Sequence, residues 1–289
     1  MVRIEKLAAV GLAVSPILYV SYAAVTGEYI PAVVIAAATL VFGLLGSLVA
    51  ARRLFFLAGA APHASLLAAL IAVPVMAETG VPLDAATAAI GLLLIYTVGY
   101  AIHRGVDPDV ATSVFVSVSA SLSVVLAYVV ASSYPLGFDI TAVVFGDPLL
   151  AVRSEAFTAV AAALVVAALT LATYMEQVYI GVDREAALLS GLNTRLYDAA
   201  FFTMMGLGVA LLVRPVGFVL EHVLMLIPGA MTGYASSSRG ALLVASATAT
   251  LSGALGLVAA HVFNIAPAGA SGLVLLLFYI VALLSTRQG

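Results

Sequence analysis

The chain has 289 residues, no cysteine, and charged side chains at only 9% of its positions. The lack of cysteine excludes disulfides, thiolate metal ligands and cysteine nucleophiles. Lysine occurs once, as Lys6. A P-loop needs a glycine-rich turn ending in Gly-Lys-Ser/Thr, and none is present. Any ATP coupled to this protein must therefore be hydrolysed by another polypeptide, and the chain is not expected to be an enzyme. The net charge is −3 and no basic block exists, so nucleic acid is excluded as a partner, because phosphate neutralisation needs clustered Lys and Arg.

What fills the chain instead is apolar: 64% of residues, against roughly 45–50% in ordinary soluble domains, which carry about 25% charge. So little charge cannot cover a water-exposed surface, and lipid must replace water around it. Residues 1–289 read as a single transmembrane domain, an all-α integral membrane bundle of about ten helices. The apolar runs are unbroken rather than alternating, which excludes a barrel. Runs of about 20 residues occur at Leu7–Thr26, Pro31–Ala51, Phe55–Ala77, Asp84–His103, Ala111–Ser132, Ala156–Met175, Leu196–Val213, Pro215–Ala235, Gly240–Phe263 and Ala268–Ser285. Arg3 and Lys6 before the first run resemble the start of a signal peptide, but the run is long and lacks a cleavage site, so it is read as a span. Phe138–Val152 is short and broken by Gly146 and Pro148, and reads as an interfacial piece.

Positive charge orients the bundle. With the N-terminus in the cytoplasm, nine basic residues face inward (Arg3, Lys6, Arg52, Arg53, Arg104, Arg184, Arg195, Arg239, Arg287) and two face outward (Arg153, Arg214). The expectation is a multi-pass protein of the cytoplasmic membrane with both termini inside. Outer acidic residues such as Glu28, Glu78, Asp84 and Glu155 read as solvated loop charges.

Residues 176–195 form the longest polar cytoplasmic stretch. Asp183, Arg184, Glu185, Leu188, Leu189 and Gly191 belong to a short amphipathic helix in which Asp183 caps the N-terminus and Gly191 ends it in the left-handed conformation. Its apolar face suits a partner's groove, or the helix simply lies on the membrane surface. Ionisable groups at membrane depth are expensive and functional by default. His63 lies in the third span, Glu221 and His222 in the eighth, and His261 near the end of the ninth, whereas His103 sits at a membrane edge beside Arg104. Carboxylate and imidazole together suit a divalent first-row metal; alternatively each group pairs with a neighbouring helix. Adjacent residues on a helix diverge by about 100°, so Glu221 and His222 are not expected to grip one ion as a simple pair. Ser113, Ser117 and Ser121 recur every four residues on the fifth span, with Ser119 and Ser123 beside them, and read as a close-packing face.

Several segments together carry a family resemblance. Gly46–Leu67 (GSLVAARRLFFLAGAAPHASLL), the Phe145-Gly146-Asp147-Pro148-Leu149 turn, Asp183–Leu192, the Val216-Gly217 to Ile227-Pro228 helix and Pro267-Ala268-Gly269-Ala270-Ser271 occur in the order found in membrane subunits of zinc/manganese/iron ABC importers. The chain resembles that family from about residue 31 to 285. The resemblance implies a type II importer permease fold, a second copy of the chain around one pathway, a separate ABC ATPase docked on the 176–195 coupling segment, and an extracytoplasmic solute-binding protein. It also implies a transported divalent metal ion, zinc or manganese, with no permanently bound cofactor. There are departures. The family's Gly-Asp is Ala58-Gly59 here, Glu221-His222 replaces a Val-Ser-like pair, the Asp before the last Pro-Gly motif is replaced near Asn264, and the first span precedes the match. They leave two rivals: a permease of the same fold for a metal chelate or another small solute, and an ion-coupled secondary transporter using Glu221. A purely structural membrane protein fits poorly, because Glu221 in a span would then cost stability without return.

Overall fold

The computed structural model describes residues 2–134 and 147–286, and all regular structure among them is helical. In chain order the helices are α1 (Val2–Thr26), α2 (Tyr29–Arg52), α3 (Phe55–Thr79), α4 (Leu83–His103), α5 (Pro108–Ser133), α6 (Arg153–Val182), α7 (Arg184–Leu189), α8 (Thr194–Val216), α9 (Phe218–Met231), α10 (Ser238–Phe263) and α11 (Pro267–Thr286), with single 3-10 turns at Pro148–Leu150 and Thr232–Tyr234. Phe138–Val152 falls largely outside the described residues, as do Phe145, Gly146 and Arg287. Its last part carries an Asp147 side chain that accepts from Leu149 N at 3.0 Å.

Nine of the described helices are long and apolar enough to cross a bilayer. The expected tenth span, Pro215–Ala235, is divided. Gly217 takes φ 86°, a region that costs glycine little, and so ends α8 and starts α9 afresh. With 14 residues, α9 is about 21 Å long, short of a core about 30 Å thick. Composition alone concealed this, because the apolar run continues through the break.

The chain starts and stops helices by local means. Asp107 caps α5, accepting from the backbone of Asp109 and Val110 at 3.0 and 3.1 Å, and Pro108 supplies the first helical residue. Arg53 ends α2 at φ 58°, which makes the turn into α3 only two residues long.

Helix α2 is the axis of the bundle, buried over most of its length between α6, α8, α9 and α10. Small residues let backbones approach, as helix pairs in lipid require. A Cβ on Gly46 would stand 2.8 Å from the Met225 carbonyl of α9, and one on Gly43 would stand 2.9 Å from Ser246 of α10. One on Gly181, near the end of α6, would overlap the Ala51 carbonyl of α2. The serines of α5 divide differently from the expectation. Ser119 and Ser123 are buried, whereas Ser113, Ser117 and Ser121 are exposed and two of them bond back to their own helix. Packing uses the intervening face, because serines at 113, 117, 119, 121 and 123 occupy more than one side of a helix.

Ion pairs identify the two ends of the bundle. At one, Arg52 and Arg184 meet Asp198, and Glu5 accepts from Ser236 N at 2.7 Å. At the other, Arg214 meets Asp84 and Glu155. The first is the arginine-rich end of the sequence pattern.

Candidate functional site: a histidine pair between two helices

His63 and His222 meet where α3 passes α9. Pro62 precedes His63 within α3, and the restart at Gly217 sets the angle at which α9 carries His222 toward it. The two rings stand edge to face with centroids 5.3 Å apart. Phe218 packs on both, 4.9 Å from His63 and 4.5 Å from His222. Both imidazoles are half-buried. His222 Nδ1 lies 3.0 Å from the Phe218 carbonyl. A carbonyl can only accept, so Nδ1 carries the proton and the neutral ring keeps a lone pair on Nε2.

This separation has chemical content. With a metal–nitrogen bond of about 2.1 Å, each ring centre lies about 3 Å from the ion, and two rings at a tetrahedral angle stand about 5 Å apart. The centroid spacing matches that of two imidazoles sharing an ion, but the edge-to-face setting is that of packed rings, so an ion between them requires the rings to turn. Beside it, from Gly59 across to Thr112, Ser113 and Val116 of α5 and Leu226 of α9, lies a cavity of about 530 Å³. A Cβ on Gly59 would meet no atom within 4 Å, so the position where the resemblance expects an aspartate is open.

Glu221 turns the other way. It is fully buried, and its Oε2 accepts from Ser65 Oγ at 2.7 Å. Its Oε1 is buried with no hydrogen-bond partner. An isolated carboxylate in such a place is costly unless a cation or a proton neutralises it. His261 stands apart from both groups, exposed near the end of α10, with its ring 6.2 Å from that of Tyr22, which bonds to Glu28. Among the described residues, no three of His, Asp and Glu come close enough to hold a metal together. Of the four candidate ligands, the structure joins two.

At the arginine-rich end, α7 has the capped form expected of residues 183–191. Asp183 accepts from Ala186 N at 2.9 Å, and Gly191 lies at φ 87°. Ala187 is buried against the protein itself, while Leu188 and Leu189 are 53% and 89% exposed; Glu185 is exposed as well. Arg184 reaches back to Asp198 at the start of α8 with both terminal nitrogens, at 3.2 and 2.5 Å. Those bonds push the Arg184 guanidinium up from its ordinary range. Asp198 also takes Arg52. Sequence reading passed over Ser65, Phe218 and Asp198. Asp198 alone left a signal, as an acid inside an apolar run.

Comparison with known proteins agrees with this architecture. A family model described as the ABC 3 transport family matches residues 26–286. The manganese transport system membrane proteins MntC of Listeria innocua and Listeria monocytogenes are each 26% identical over 254 residues, covering 86% of this chain and 88% of theirs. Among solved structures, PsaBC from Streptococcus pneumoniae in complex with Fab aligns over 91% of this chain and 94% of its own with a TM-score of 0.76 and 18% identity. An inward-facing transporter described as of the metal-chelate ABC type aligns over 97% and 99% with a TM-score of 0.73 and 14% identity. Nine helices able to span, a divided tenth and a match over most of the sequence lead to one assignment: the chain belongs to the ABC 3 transport family, a membrane permease component of an ABC transporter.

Proposed function

We propose that this chain is the permease subunit of an importer for a divalent metal ion, manganese before zinc, and that His63 and His222 form a staging point for the ion in transit. The observation that carries the reading is the 5.3 Å separation of the two rings across α3 and α9. Two imidazoles hold an ion firmly enough to select it and weakly enough to release it, as a transport site must. The preference for manganese rests on the naming of the MntC relatives; imidazole accepts either metal.

In this reading Glu221, buried beside Ser65, is the neutralising group nearest in sequence and acts on the ion only after a rearrangement of α9. His261 has no part in the staging point. A separate ATPase docks on Asp183–Gly191 through Leu188 and Leu189, an extracytoplasmic binding protein delivers the ion to the opposite end, and a second copy of the chain completes the pathway. The arginine-rich end faces the cytoplasm, in keeping with the distribution of positive charge. A cytoplasm-specific reporter fused at Gly289 is then active; a silent reporter on a stable fusion reverses the orientation.

The transport reading is tested with the chain and its ATPase in vesicles loaded with a metal-sensing dye. Manganese, zinc and iron are offered in turn. His63→Ala and His222→Ala each reduce ATP-dependent metal entry by at least about tenfold, the effect of losing one strong ligand interaction of roughly 1.4 kcal/mol in the pathway. ATPase assembly is unchanged. Normal entry in the double variant overturns the staging point.

A further inference from the structure

A second polar cavity, of about 340 Å³, lies at the arginine-rich end. Gly99, Ile102 and His103 at the end of α4 form one wall. Ile180, Gly181 and Arg184, at the end of α6 and the start of α7, form the other. Its floor is Asp198, Phe202 and Arg52. It therefore opens between two peripheral helices, at the level where the bundle's helices end. That level is the membrane–water interface. Tyr100 on α4 and Tyr179 on α6, each next in sequence to a lining residue, are exposed, and such aromatic side chains suit headgroup depth.

The charges in this crevice do not balance. Two guanidinium groups, Arg52 and Arg184, share the one carboxylate of Asp198. Arg52 is the unusual member. Its side chain is only 6% exposed, and its Nη1 is buried without a hydrogen-bond partner. A buried cation with unused donors calls for an anionic acceptor. Arg53 and Arg104 follow the ends of α2 and α4, and Asp183 and Glu185 flank Arg184 in the chain.

We infer that the crevice between α4 and α6 holds the phosphate headgroup of an anionic membrane lipid, with Arg52 and Arg184 as its donors. Basic pockets between spanning helices are a recurrent way of holding such headgroups, and the exposed apolar side chains of α4 and α6, Leu93 and Leu171 among them, offer a surface for the acyl chains. A lipid there touches Arg184, the first residue of α7, and so ties the composition of the membrane to the position of the segment that faces solvent with Leu188 and Leu189. The inference needs only the chain in a membrane and stands apart from the identity of the cargo.

The full chain, with its ATPase where the two co-purify, is reconstituted in nanodiscs and then stripped with detergent. Lipid that remains bound is counted by native mass spectrometry. Phosphatidylglycerol is retained about tenfold more than phosphatidylcholine, a ratio corresponding to one charge-assisted contact. Ile102→Trp fills the crevice without altering a charge and abolishes that preference. Arg184→Gln weakens it while leaving the buried Arg52–Asp198 pair in place. Adding inorganic phosphate does not release the lipid. Equal retention of the two lipids by the wild type overturns the proposal, as does retention in Ile102→Trp at the wild-type level. Release by inorganic phosphate, or an equal rise in thermal stability with inorganic phosphate alone, assigns the crevice to a free anion and also overturns it.

Discussion

Helix α8 is held at its two ends by ion triads of opposite design. At the arginine-rich end an acid, Asp198, lies between two bases, Arg52 and Arg184. At the other end a base, Arg214, lies between two acids, Asp84 at 2.6 Å and Glu155 at 3.2 Å. The charges mirror each other, but the settings differ. In the first, Arg52 is 6% exposed, Asp198 19% and Arg184 43%; in the second, Glu155 is 12%, Arg214 24% and Asp84 37%. Water and salt weaken the Arg184–Asp198 and Arg214–Asp84 pairs most and barely reach Arg52. The difference teaches where the bundle tolerates change. One end is pinned by the nearly dry Arg52–Asp198 pair, with the more exposed Arg184 added to it, and the other is held by pairs of intermediate exposure.

The sharpest way to break this comparison is to remove the shared acid. Asp198→Ala leaves the Arg52 guanidinium buried without its carboxylate and is expected to cost about 3–5 kcal/mol. Thermal unfolding in detergent measures it. A loss no larger than that of Arg214→Gln shows that Arg52 finds another partner and that the two ends are equivalent. Arg214→Gln comes next, with an expected loss of about 1 kcal/mol from partly exposed pairs. Its deficit also shrinks as salt is raised. A deficit that ignores salt marks the outer triad as the tighter of the two. The smallest effect on stability is expected for Leu188→Asp with Leu189→Asp, within about 0.5 kcal/mol, because both side chains face solvent. The same variant is expected to lose the ATPase in co-purification or to uncouple ATP hydrolysis from transport. Unchanged assembly and unchanged transport make α7 a surface loop and remove the functional contrast between the ends.

The spans were legible in the sequence because a bilayer imposes a length and a composition that nothing else in the chain satisfies. The cap at Asp183 and the left-handed stop at Gly191 were legible because they are local. What lies across helices was not. The pairing of His63 with His222 depends on the angle set by Gly217, and a glycine in an apolar run reads the same whether it packs or breaks. Glu221 stood out as a carboxyl at depth, but its partner Ser65 comes from a helix 156 residues away in sequence. Asp198 lies inside the apolar run Leu196–Val213, but so close to its edge and to the polar stretch 176–195 that it reads as solvated. Its role appeared only when α2 and α7 were seen to converge on it. The exposed serines of α5 were misread for a related reason: a small polar residue suits a packed face and an open one equally, and only the neighbours decide.

The close approach at Gly181 has a mechanical consequence. There the end of α6 rests on the end of α2 main chain to main chain, with no side chain between them to slide or flex. A push delivered to the residues just beyond α6 meets α2 directly through this backbone contact. A single methyl group at residue 181 would act as a shim in that joint, tilting one helix against the other and introducing play where the structure has none.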